Sequence, residues 1–471
     1  MPIPVISVAQ MREWEKVTWA SGVLEDAVMR HAGAAVASVA ERLTQPDDLI
    51  LVLAGKGHNG DDAAYGSEFI RNRRCELIRV IDPEVSSKEI AARLQHHPAL
   101  IVDGLFGIGL NRPLSGAWMK LIEHINSAGV RILSVDVPSG LSADSGLPLD
   151  VAIRADFTIT FGAVKQGMIK TNAALFTGRI EVAPEIGLQP YPFATEVNWV
   201  VADDFKKFPP PRPISGHKGT FGHLAVVAGS PGYHGAAVLA ARGAQRAQPG
   251  LITLFTHEAV WAPVAAQLQS VMVHGGQDEL SLPETCTAVL IGPGLASAEV
   301  SEKLKRATRR LWQDSPLAII VDASALDWLP DGPCPEKALR VITPHPGEAA
   351  RLLQSSSAEV QRDRVSAVRE LSRRWGGCHV VLKGHQTIIG HGREELSVNS
   401  SGNPHLAQGG SGDLLAGYLG GLLAQPELQH QPGLTLRYAV WQHGAAADAL
   451  LAKRPNFTIE DLAGEIGLSR P

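Results

Sequence analysis

A glycine-rich loop that ends in an acid is the part of this sequence with the clearest potential for chemistry. Residues 402–417 read GNPHLAQGGSGDLLAG, and an apolar helical pattern begins at about Asp413. A helix start offers unpaired backbone N–H groups and a positive dipole end, and glycine lets a phosphate approach them closely. We therefore predict that the amides of residues 410–412 hold a phosphoryl group while Asp413 deprotonates the hydroxyl that attacks it. The loop alone is equally compatible with a capped turn.

Further polar segments follow predicted strands in the same part of the chain, and each carries Gly, Asp, His or Lys. Ligands of an open α/β sheet bind beyond the carboxyl ends of its strands, so these segments are predicted to meet the loop at one edge. Any one of them could be turn chemistry, and Lys383 alone could be a solvated surface lysine. The segments are AGSPGYHGAA (228–237), IGPGL (291–295), VDASAL (321–326), TPHPGE (343–348) and LKGHQT (382–387).

A second group of polar strand ends lies earlier in the chain. The segments are GKGHNGDDAAYG (55–66), VDGLFGIGLNRPLSG (102–116) and VDVPSGLSADSG (135–146). Asn59, Asp103, Asp136 and Ser139 offer the oxygen atoms from which hard-cation sites are built. A simpler interpretation is that Asp103 and Asp136 only cap the turns after their strands.

Short β-branched runs alternate with helical patterns, which is typical of α/β domains with parallel sheets. Prolines interrupt this alternation between residues 184 and 218, and proline continues neither a helix nor a central strand. We therefore predict two domains, 1–206 and 215–471, joined by a linker at 207–214. The predicted strands are Leu49–Ala54, Cys75–Ile81, Leu100–Gly104, Val130–Val137, Phe157–Phe161, Arg179–Val182, His223–Ala228, Leu251–Phe255, Ala288–Gly292, Ala318–Asp322, Arg340–Thr343 and His379–Lys383.

Composition narrows the class of protein. The 471 residues carry a formal net charge of −5, which argues against a nucleic-acid partner or an anionic membrane surface. Four scattered cysteines without a CxxC pair indicate a reducing compartment. No basic segment followed by an apolar run opens the sequence, and no stretch is long enough to span a bilayer. We expect a cytoplasmic homo-oligomer that acts on small molecules.

In order and spacing, the motifs of the second domain resemble those of ADP-dependent NAD(P)H-hydrate dehydratases over about residues 215–467. The resemblance implies a ribokinase-like α/β fold. It also implies that ADP drives removal of water from the S form of hydrated NADH or NADPH, giving AMP and phosphate, with Mg²⁺ accompanying the nucleotide. Small departures are AQPG at 247–250, DASAL in place of DADAL, and His405 where glycine is frequent.

This resemblance also assigns residues to roles. Ala237, Gly294, His345 and Asp413 are expected to contact the hydrate. The nucleotide is expected to contact Lys383, Gly384, His385, Gln386, Thr387 and Gly412. A true small-molecule kinase remains an alternative, because this loop is shared across the fold and a fold does not fix a function.

The first domain resembles NAD(P)H-hydrate epimerases over about residues 5–200, which implies a Rossmann-like fold and interconversion of the R and S hydrates. On this match Asn59, Asp103 and Ser139 would bind K⁺. Asp136 would touch the hydrate and serve as the acid/base group, with Lys165 a second possibility, although a surface lysine is the simpler interpretation of Lys165. The hydrate cradle would comprise His58, Asn59, Gly60, Asp61, Asp62, Gly107, Ile108, Gly109, Leu110, Asn111, Arg112 and Pro113.

The loop at residues 58–63 departs from that family. It reads HNGDDA where NNGGDG is typical, so Asp61 and Ala63 stand in place of glycines. This change is expected to restrict the backbone and to add negative charge near a phosphate-bearing ligand. The first domain could therefore be a binding module that retains only a nucleotide-shaped pocket.

Overall fold

A computed structural model describes residues 2–277, 280–392 and 394–468 of the chain. The chain folds as two compact units, one from Ile3 to Glu196 and the other from Val197 onward. Helices accompany largely parallel sheets in both units, which confirms the predicted α/β class.

The first unit is built on a six-stranded parallel sheet. Its strands are β1 (Ile3–Ile6), β2 (Leu49–Ala54), β3 (Arg74–Arg79), β4 (Leu100–Gly104), β5 (Ile132–Val135), β6 (Phe157–Phe161), β7 (Val164–Lys165) and β8 (Arg179–Ala183). Its helices are α1 (Val8–Ala20), α2 (Glu25–Leu43), α3 (His58–Phe69), α4 (Pro83–Leu94), α5 (Gly116–Asn126) and α6 (Ala174–Thr177). The sheet order is β3-β2-β4-β5-β6-β8, and β1 pairs in parallel with β7.

The central strand β2 shows why this sequence forms a two-faced sheet. All six of its side chains are apolar and buried. Ile50 and Val52 pack into one hydrophobic cluster, while Leu51 and Leu53 pack into another on the opposite face. A strand covered by helices on both faces has a continuous apolar run of this kind instead of alternation. The carboxyl ends of β2, β4 and β5 thus lie side by side, as the polar segments require.

The second unit contains a ten-stranded mixed sheet. Its strands are β9 (Val197–Val200), β10 (His223–Val227), β11 (Leu251–Thr256), β12 (Met272–Gly275), β13 (Ala288–Ile291), β14 (Ala318–Val321), β15 (Arg340–Ile342), β16 (His379–Leu382), β17 (Ile388–Gly390) and β18 (Leu396–Asn399). The order is β12-β11-β10-β13-β14-β15-β16-β17-β18-β9. Pairing is parallel from β12 to β16, antiparallel around β17, and parallel again between β18 and β9.

The helices of the second unit include a tightly packed pair that carries the glycine-rich loop. They are α7 (His234–Ala247), α8 (Trp261–Ala265), α9 (Glu302–Asp314), α10 (Pro346–Leu353), α11 (Ser357–Arg362), α12 (Arg364–Arg374), α13 (Ser411–Leu423), α14 (Pro426–Gln429), α15 (Pro432–Lys453) and α16 (Ile459–Glu465). A Cβ at Gly417 of α13 would collide with the carbonyl of Ala240 in α7. Glycine lets the two backbones touch, and this contact fixes the start of α13.

The boundary between the units differs from the predicted one. Strand β9 pairs in register with β18, and Phe205 and Phe208 are buried in the second core, where both rings pack against Tyr438. Residues 197–206, predicted as the end of the first domain, therefore belong to the second unit, and the predicted linker 207–214 begins within its core. Residues 193–208 contain no proline, so they are free to form a strand that pairs with β18.

This boundary predicts different stabilities for two fragments of the second unit. A fragment that begins at Val197 keeps β9, Phe205 and Phe208, whereas one that begins at Ile214 loses all three. We expect the shorter fragment to lose several kcal/mol of unfolding free energy, because truncating even one buried aromatic side chain costs roughly 3–5 kcal/mol. Urea unfolding followed by circular dichroism measures the difference. Equal midpoints for the two fragments would contradict the boundary at Val197.

The structure bears on two further points, membrane-crossing helices and the state of the cysteines. Within the described ranges, no helix combines the length and apolar character needed to cross a membrane. The four cysteines are free thiols: Cys286 and Cys378 are buried, and Cys75 and Cys334 are partly exposed.

Candidate active sites

The glycine-rich loop of the second unit turns sharply into α13. Gly410 is the N-cap residue with φ of 92°, and a Cβ at this position would collide with Leu239. The N–H of Ser411 donates to the carbonyl of Gln408 at 3.3 Å, so its predicted availability for a phosphoryl group is reduced. The next two amides, of Gly412 and Asp413, have no intrahelical acceptor because they belong to the first turn of the helix. The amides that this helix start can offer to an anion are thus those of Gly412 and Asp413.

Lys383 lies directly over this loop. Its Nζ is 2.6 Å from Oδ1 of Asp322 and 4.0 Å from Oε2 of Glu348, and a Cβ at Gly412 would be 3.4 Å from it. Burial lowers the pKa of Lys383, but the neighbouring carboxylates outweigh burial and raise it. The interpretation of Lys383 as a solvated surface lysine is therefore wrong: the ammonium is held where a phosphate would rest.

The carboxyl group of Asp413 is suited to a base near neutral pH. Burial, assisted by the negative charges of Asp322 and Glu348, raises its pKa to about 6, and Lys383 opposes this shift. A general base works best when its pKa lies near the operating pH. The structure therefore brings together the predicted base, the predicted lysine and the two free amides.

The TPHPGE segment adds a rigid turn beside this group. His345 is the N-cap of α10: its Nδ1 accepts from the N–H of Gly347 at 3.0 Å, and its own N–H donates to Glu348 at 2.8 Å. Thr343 donates to Oδ1 of Asp322 at 2.6 Å. The His345 side chain is 53% exposed, which leaves it available to a ligand.

Two predicted hydrate contacts lie below the surface instead. Ala237 is 0% exposed, and its methyl lies 2.8 Å from where a Cβ at Gly229 would be. A direct ligand contact by Ala237, predicted above, does not fit this burial, because the first turn of α7 directs the methyl into the core. Gly294 is also buried, and its carbonyl accepts from Ser230 at 2.7 Å.

The predicted nucleotide segment at 383–387 is only partly exposed. Gly384 and His385 are exposed, whereas Gln386 and Thr387 are 8% and 7% exposed. The hydroxyl of Thr387 donates to the carbonyl of Gly384 at 3.0 Å, so it holds the turn. Buried Arg364, which sequence reasoning missed, donates to the carbonyl of His385 at 2.6 Å. Within this segment, Gly384 and His385 are therefore the residues that are exposed beside Lys383.

Helix α15 supplies two more residues that the motifs did not identify. Asp448 accepts from the N–H of Gly402 and from Asn403 Nδ2, both at 3.0 Å. Burial lowers the pKa of His443 to about 4, and this imidazole hydrogen-bonds the backbone of Ser411. One helix thus anchors both ends of the glycine-rich loop.

The first unit encloses a cavity of about 780 Å³ at the carboxyl ends of its strands. The predicted cradle residues on its wall are His58, Asn59, Asp62, Gly107, Ile108, Gly109, Leu110, Asn111, Arg112 and Asp136. Gly60, Asp61 and Pro113 do not line it, and Gly60 packs against the carbonyl of Gly55 instead. Helix α1 contributes Met11, Arg12, Glu15 and Trp19, which were missed because α1 does not follow a strand of the main sheet.

Asp136 and Lys165 form an ion pair beside this cavity. Asp136 has φ of 62°, and its Oδ1 accepts from Lys165 Nζ and, at 3.0 Å, from the Thr160 hydroxyl. Lys165 is 0% exposed, and its Nζ also donates to Thr160 at 2.8 Å and to the carbonyl of Phe161 at 3.2 Å. The interpretation of Lys165 as a surface lysine is therefore wrong.

The three predicted cation ligands converge around the backbone of Phe106. Asp103 is 0% exposed and accepts hydrogen bonds from Ser134 at 2.7 Å and from the hydroxyl and N–H of Ser139 at 2.6 and 2.9 Å. Burial raises the pKa of Asp103, and these hydrogen bonds oppose that shift. Asn59 Nδ2 donates to the carbonyl of Phe106 at 2.9 Å, while its buried Oδ1 has no partner in the described part of the chain. Ser139 Oγ accepts from the N–H of Phe106 at 2.8 Å.

Comparison with known proteins relates both units to one family. The sequence-family model of NAD(P)H-hydrate dehydratase matches residues 224–466. The sequence-family model of the YjeF-related protein N-terminus matches residues 76–167. The bifunctional NAD(P)H-hydrate repair enzyme of Coxiella burnetii is 33% identical over 88% of this chain and 89% of its own length. That of Gloeobacter violaceus is 33% identical over 98% and 97%. The chain belongs to the family of bifunctional NAD(P)H-hydrate repair enzymes.

A solved structure is similar to more than half of this chain. The ADP/ATP-dependent NAD(P)H-hydrate dehydratase from Bacillus subtilis, co-crystallized with ATP/Mg²⁺, has a TM-score of 0.52 and 30% identity to this chain. The match covers 58% of this chain and 97% of the Bacillus subtilis chain.

The altered loop of this repair enzyme is accommodated by its fold. Asp61 and Ala63 lie within α3, outside the left-handed backbone region, so replacing glycine there does not strain the chain. Asp61 pairs with Arg79 at 2.9 Å, which balances the added negative charge. The methyl of Ala63 occupies the space that a Cβ at Gly104 would need. The expected backbone restriction is therefore not found, and Asp61 itself does not line the cavity.

Restoring glycine at position 61 is accordingly expected to cost stability. Asp61→Gly places glycine inside α3 and removes the Arg79 pair, so we expect a loss of about 1 kcal/mol. The partly exposed ion pair adds little to this loss. Chemical unfolding of the full chain measures it, with Asp61→Ala separating the pair from the glycine effect. A more stable Asp61→Gly protein would show that the carboxylate is strained after all.

Proposed function

We propose that this chain repairs hydrated NADH and NADPH. Its first unit interconverts the R and S hydrates, and its second unit dehydrates the S form with ADP, giving AMP and phosphate. The observation that carries this proposal is the arrangement of Asp413, the free amides at the start of α13, and Lys383. The relatives' shared name and coverage of both units support it.

The chemistry of dehydration explains why a kinase-like site is used. Hydroxide is a poor leaving group, so the hydroxyl is first phosphorylated. Asp413 takes the hydroxyl proton, the oxygen attacks the β-phosphorus of ADP, and AMP leaves. The amides of Gly412 and Asp413, with Lys383, stabilise the charge on the transferring phosphoryl group. Phosphate then departs with the C–O bonding electrons, and loss of a ring proton restores the reduced nicotinamide.

Magnesium fits the charge balance of this site. Asp322 and Glu348 place two carboxylates beside the single ammonium of Lys383. A magnesium ion carried with the nucleotide would balance this excess and neutralise charge on the phosphates. Exposed Gly384 and His385 would contact the nucleotide, and His345 would contact the hydrate.

Potassium fits the first unit for a related reason. Among the described residues, Asn59 Oδ1 is buried without a partner, and Asp103 is a buried carboxylate whose hydrogen bonds come from neutral groups. A monovalent cation held by Asn59, Asp103 and Ser139 would give Asn59 Oδ1 a partner and would neutralise the carboxylate of Asp103. The cavity walls formed by residues 56–59 and 107–112 would hold the hydrate next to Asp136, which exchanges protons with it.

One reaction tests both activities. The full chain is supplied with both hydrate epimers, ADP and Mg²⁺, and the return of reduced-nicotinamide absorbance is followed with AMP and inorganic phosphate. Complete recovery is expected. Recovery that stalls when the S form is consumed would contradict the epimerase assignment. Accumulation of a stable phosphorylated product without recovered absorbance would contradict the dehydratase and identify a small-molecule kinase.

A further inference from the structure

Three carboxyl groups and one ammonium group surround the inner end of the first unit's cavity. Glu15 from α1, Asp62 from α3 and Asp136 after β5 all line the cavity. Lys165 is paired with Asp136 from behind. Asp62, Asp136 and Lys165 are buried and Glu15 is half-buried. Three negative charges beside one ammonium would leave two without compensation, and each uncompensated buried charge costs several kcal/mol. A proton is therefore retained within the cluster at neutral pH.

Among the described residues, every hydrogen bond to Asp136 reaches one oxygen of its carboxyl group. Its Oδ1 receives the ammonium of Lys165, the hydroxyl of Thr160 and the N–H of Phe161. Among the described residues, no donor reaches Oδ2, so this oxygen can accept a proton from a ligand. Asp136 is therefore placed to act as the base of the cluster.

Asp62 has the opposite surroundings. It is 9% exposed, and within the described ranges no side chain or amide donates to its carboxyl group. Burial, with the negative charges of Asp136, Asp61 and Glu15, raises its pKa well above the usual value, and Lys165 opposes this only partly. Nearby carboxyl groups whose surroundings separate their proton affinities divide into an acid and a base.

We propose that Asp62 is the general acid of the epimerase and works as a pair with Asp136. This inference rests on the proposed epimerase function. It assigns a proton-transfer role to a residue that the sequence placed only in the hydrate cradle.

The pair accounts for reversible ring opening. The hydroxylated carbon of the hydrate is bonded to the ring nitrogen. Asp136 takes the hydroxyl proton, the oxygen forms a C=O bond, and the C–N bond breaks with its electrons moving to nitrogen. Nitrogen takes the proton of Asp62. Rotation about the adjacent C–C bond presents the other face of the aldehyde, and reclosure returns both protons and gives the opposite epimer.

The half-buried carboxyl group of Glu15 lines the same cavity as this pair. Burial and the charge of Asp136 raise its own pKa, while Lys165 and His58 oppose this and Glu25 adds to it. Its carboxyl group helps to keep the proton on Asp62. The charged groups that bear on Asp62 are thus Glu15, Asp61 with its partner Arg79, Asp136 and Lys165.

The test uses the full chain, purified R hydrate, ADP and Mg²⁺, with dehydratase activity in excess so that absorbance reports epimerisation. Asp62→Asn keeps the shape but has no transferable proton, so the rate is expected to fall by about 10²-fold or more. Recovery from S hydrate should be unchanged. The matched control is Glu68→Gln, an acid-to-amide change on the same helix outside the cavity wall, which should leave both rates unaltered.

The pH dependence separates acid catalysis from a structural role. The wild-type rate should fall at high pH as Asp62 loses its proton, and Asp62→Glu should retain activity but shift that alkaline limb. An Asp62→Asn protein within threefold of wild type would overturn the inference, and so would an alkaline limb unmoved in Asp62→Glu. If wild type itself does not accelerate epimerisation, the proposed function fails instead.

Discussion

Replacing Asp413 by asparagine is expected to reduce dehydration of the S hydrate by about 10²-fold or more while nucleotide binding is retained. The amide preserves the shape of the carboxyl group at the start of α13 but cannot accept the hydroxyl proton. Steady-state turnover and nucleotide affinity measure the two effects. Glu427→Gln, which alters an exposed acid in the first turn of α14, is the control. Turnover near the wild-type value would remove Asp413 from the mechanism.

The same carboxyl group gives the reaction and the fold opposite pH responses. Because the base must be ionised, the wild-type dehydration rate should rise as pH increases through about 6. The pKa of Asp413 is higher in the folded protein than the usual aspartate value, so the stability that its protonated form contributes is lost as pH rises through about 6. Ionised Asp413 then destabilises the fold by about 2–3 kcal/mol. Asp413→Asn should therefore be more stable than wild type at pH 7 but not at pH 4, as measured by urea unfolding.

The second large effect is expected at Asp103. Asp103→Ala removes the acceptor of hydrogen bonds from Ser134, Ser139 and Leu105, all within the core of the first unit. Each buried donor left without an acceptor costs about 1–3 kcal/mol, so the unfolding free energy should fall by several kcal/mol. The rate of epimerisation should fall severely, while dehydration of S hydrate by the same protein should continue.

Asp103→Asn separates the cation from the hydrogen bonds. The amide keeps one acceptor oxygen and the shape of the side chain but removes the negative charge. We expect smaller destabilisation and loss of the acceleration that K⁺ gives to wild-type epimerisation, measured by titrating K⁺ against Na⁺ at constant ionic strength. If Asp103→Asn keeps the full K⁺ response, Asp103 is a structural residue and the cation lies elsewhere.

The sequence predicted the strands of the two sheets better than their borders. All twelve predicted strands are present within two residues of their predicted ends, because buried parallel strands are continuous apolar runs. The missed strands are short or lie beside the main sheets: β1, β7, β9, β12, β17 and β18. In β9 the pairing with β18 decides the structure, and no local pattern encodes a partner almost two hundred residues away.

The sites show a similar division. Strand ends identified Asp136, Lys383 and Asp413, because the carboxyl ends of parallel strands meet at one edge. They did not identify Glu15, which reaches the cavity from α1, or His443, which reaches Ser411 from α15. The partners of Lys165 and Lys383 were also hidden, since an ion pair depends on packing between distant segments. Motifs thus located the candidate reacting groups, and only the fold showed which residues hold them.

The left-handed backbone at Asp136 also limits how this position can evolve. Its φ of 62° suits aspartate, asparagine and glycine far better than longer side chains. Glutamate, chemically the nearest replacement and a single base change away, would meet both a disfavoured backbone and a cavity shaped for a shorter acid. Asparagine and glycine keep the backbone but lose the carboxylate. None of these replacements therefore keeps both the backbone conformation and the carboxylate. Natural variation at position 136 should be almost absent.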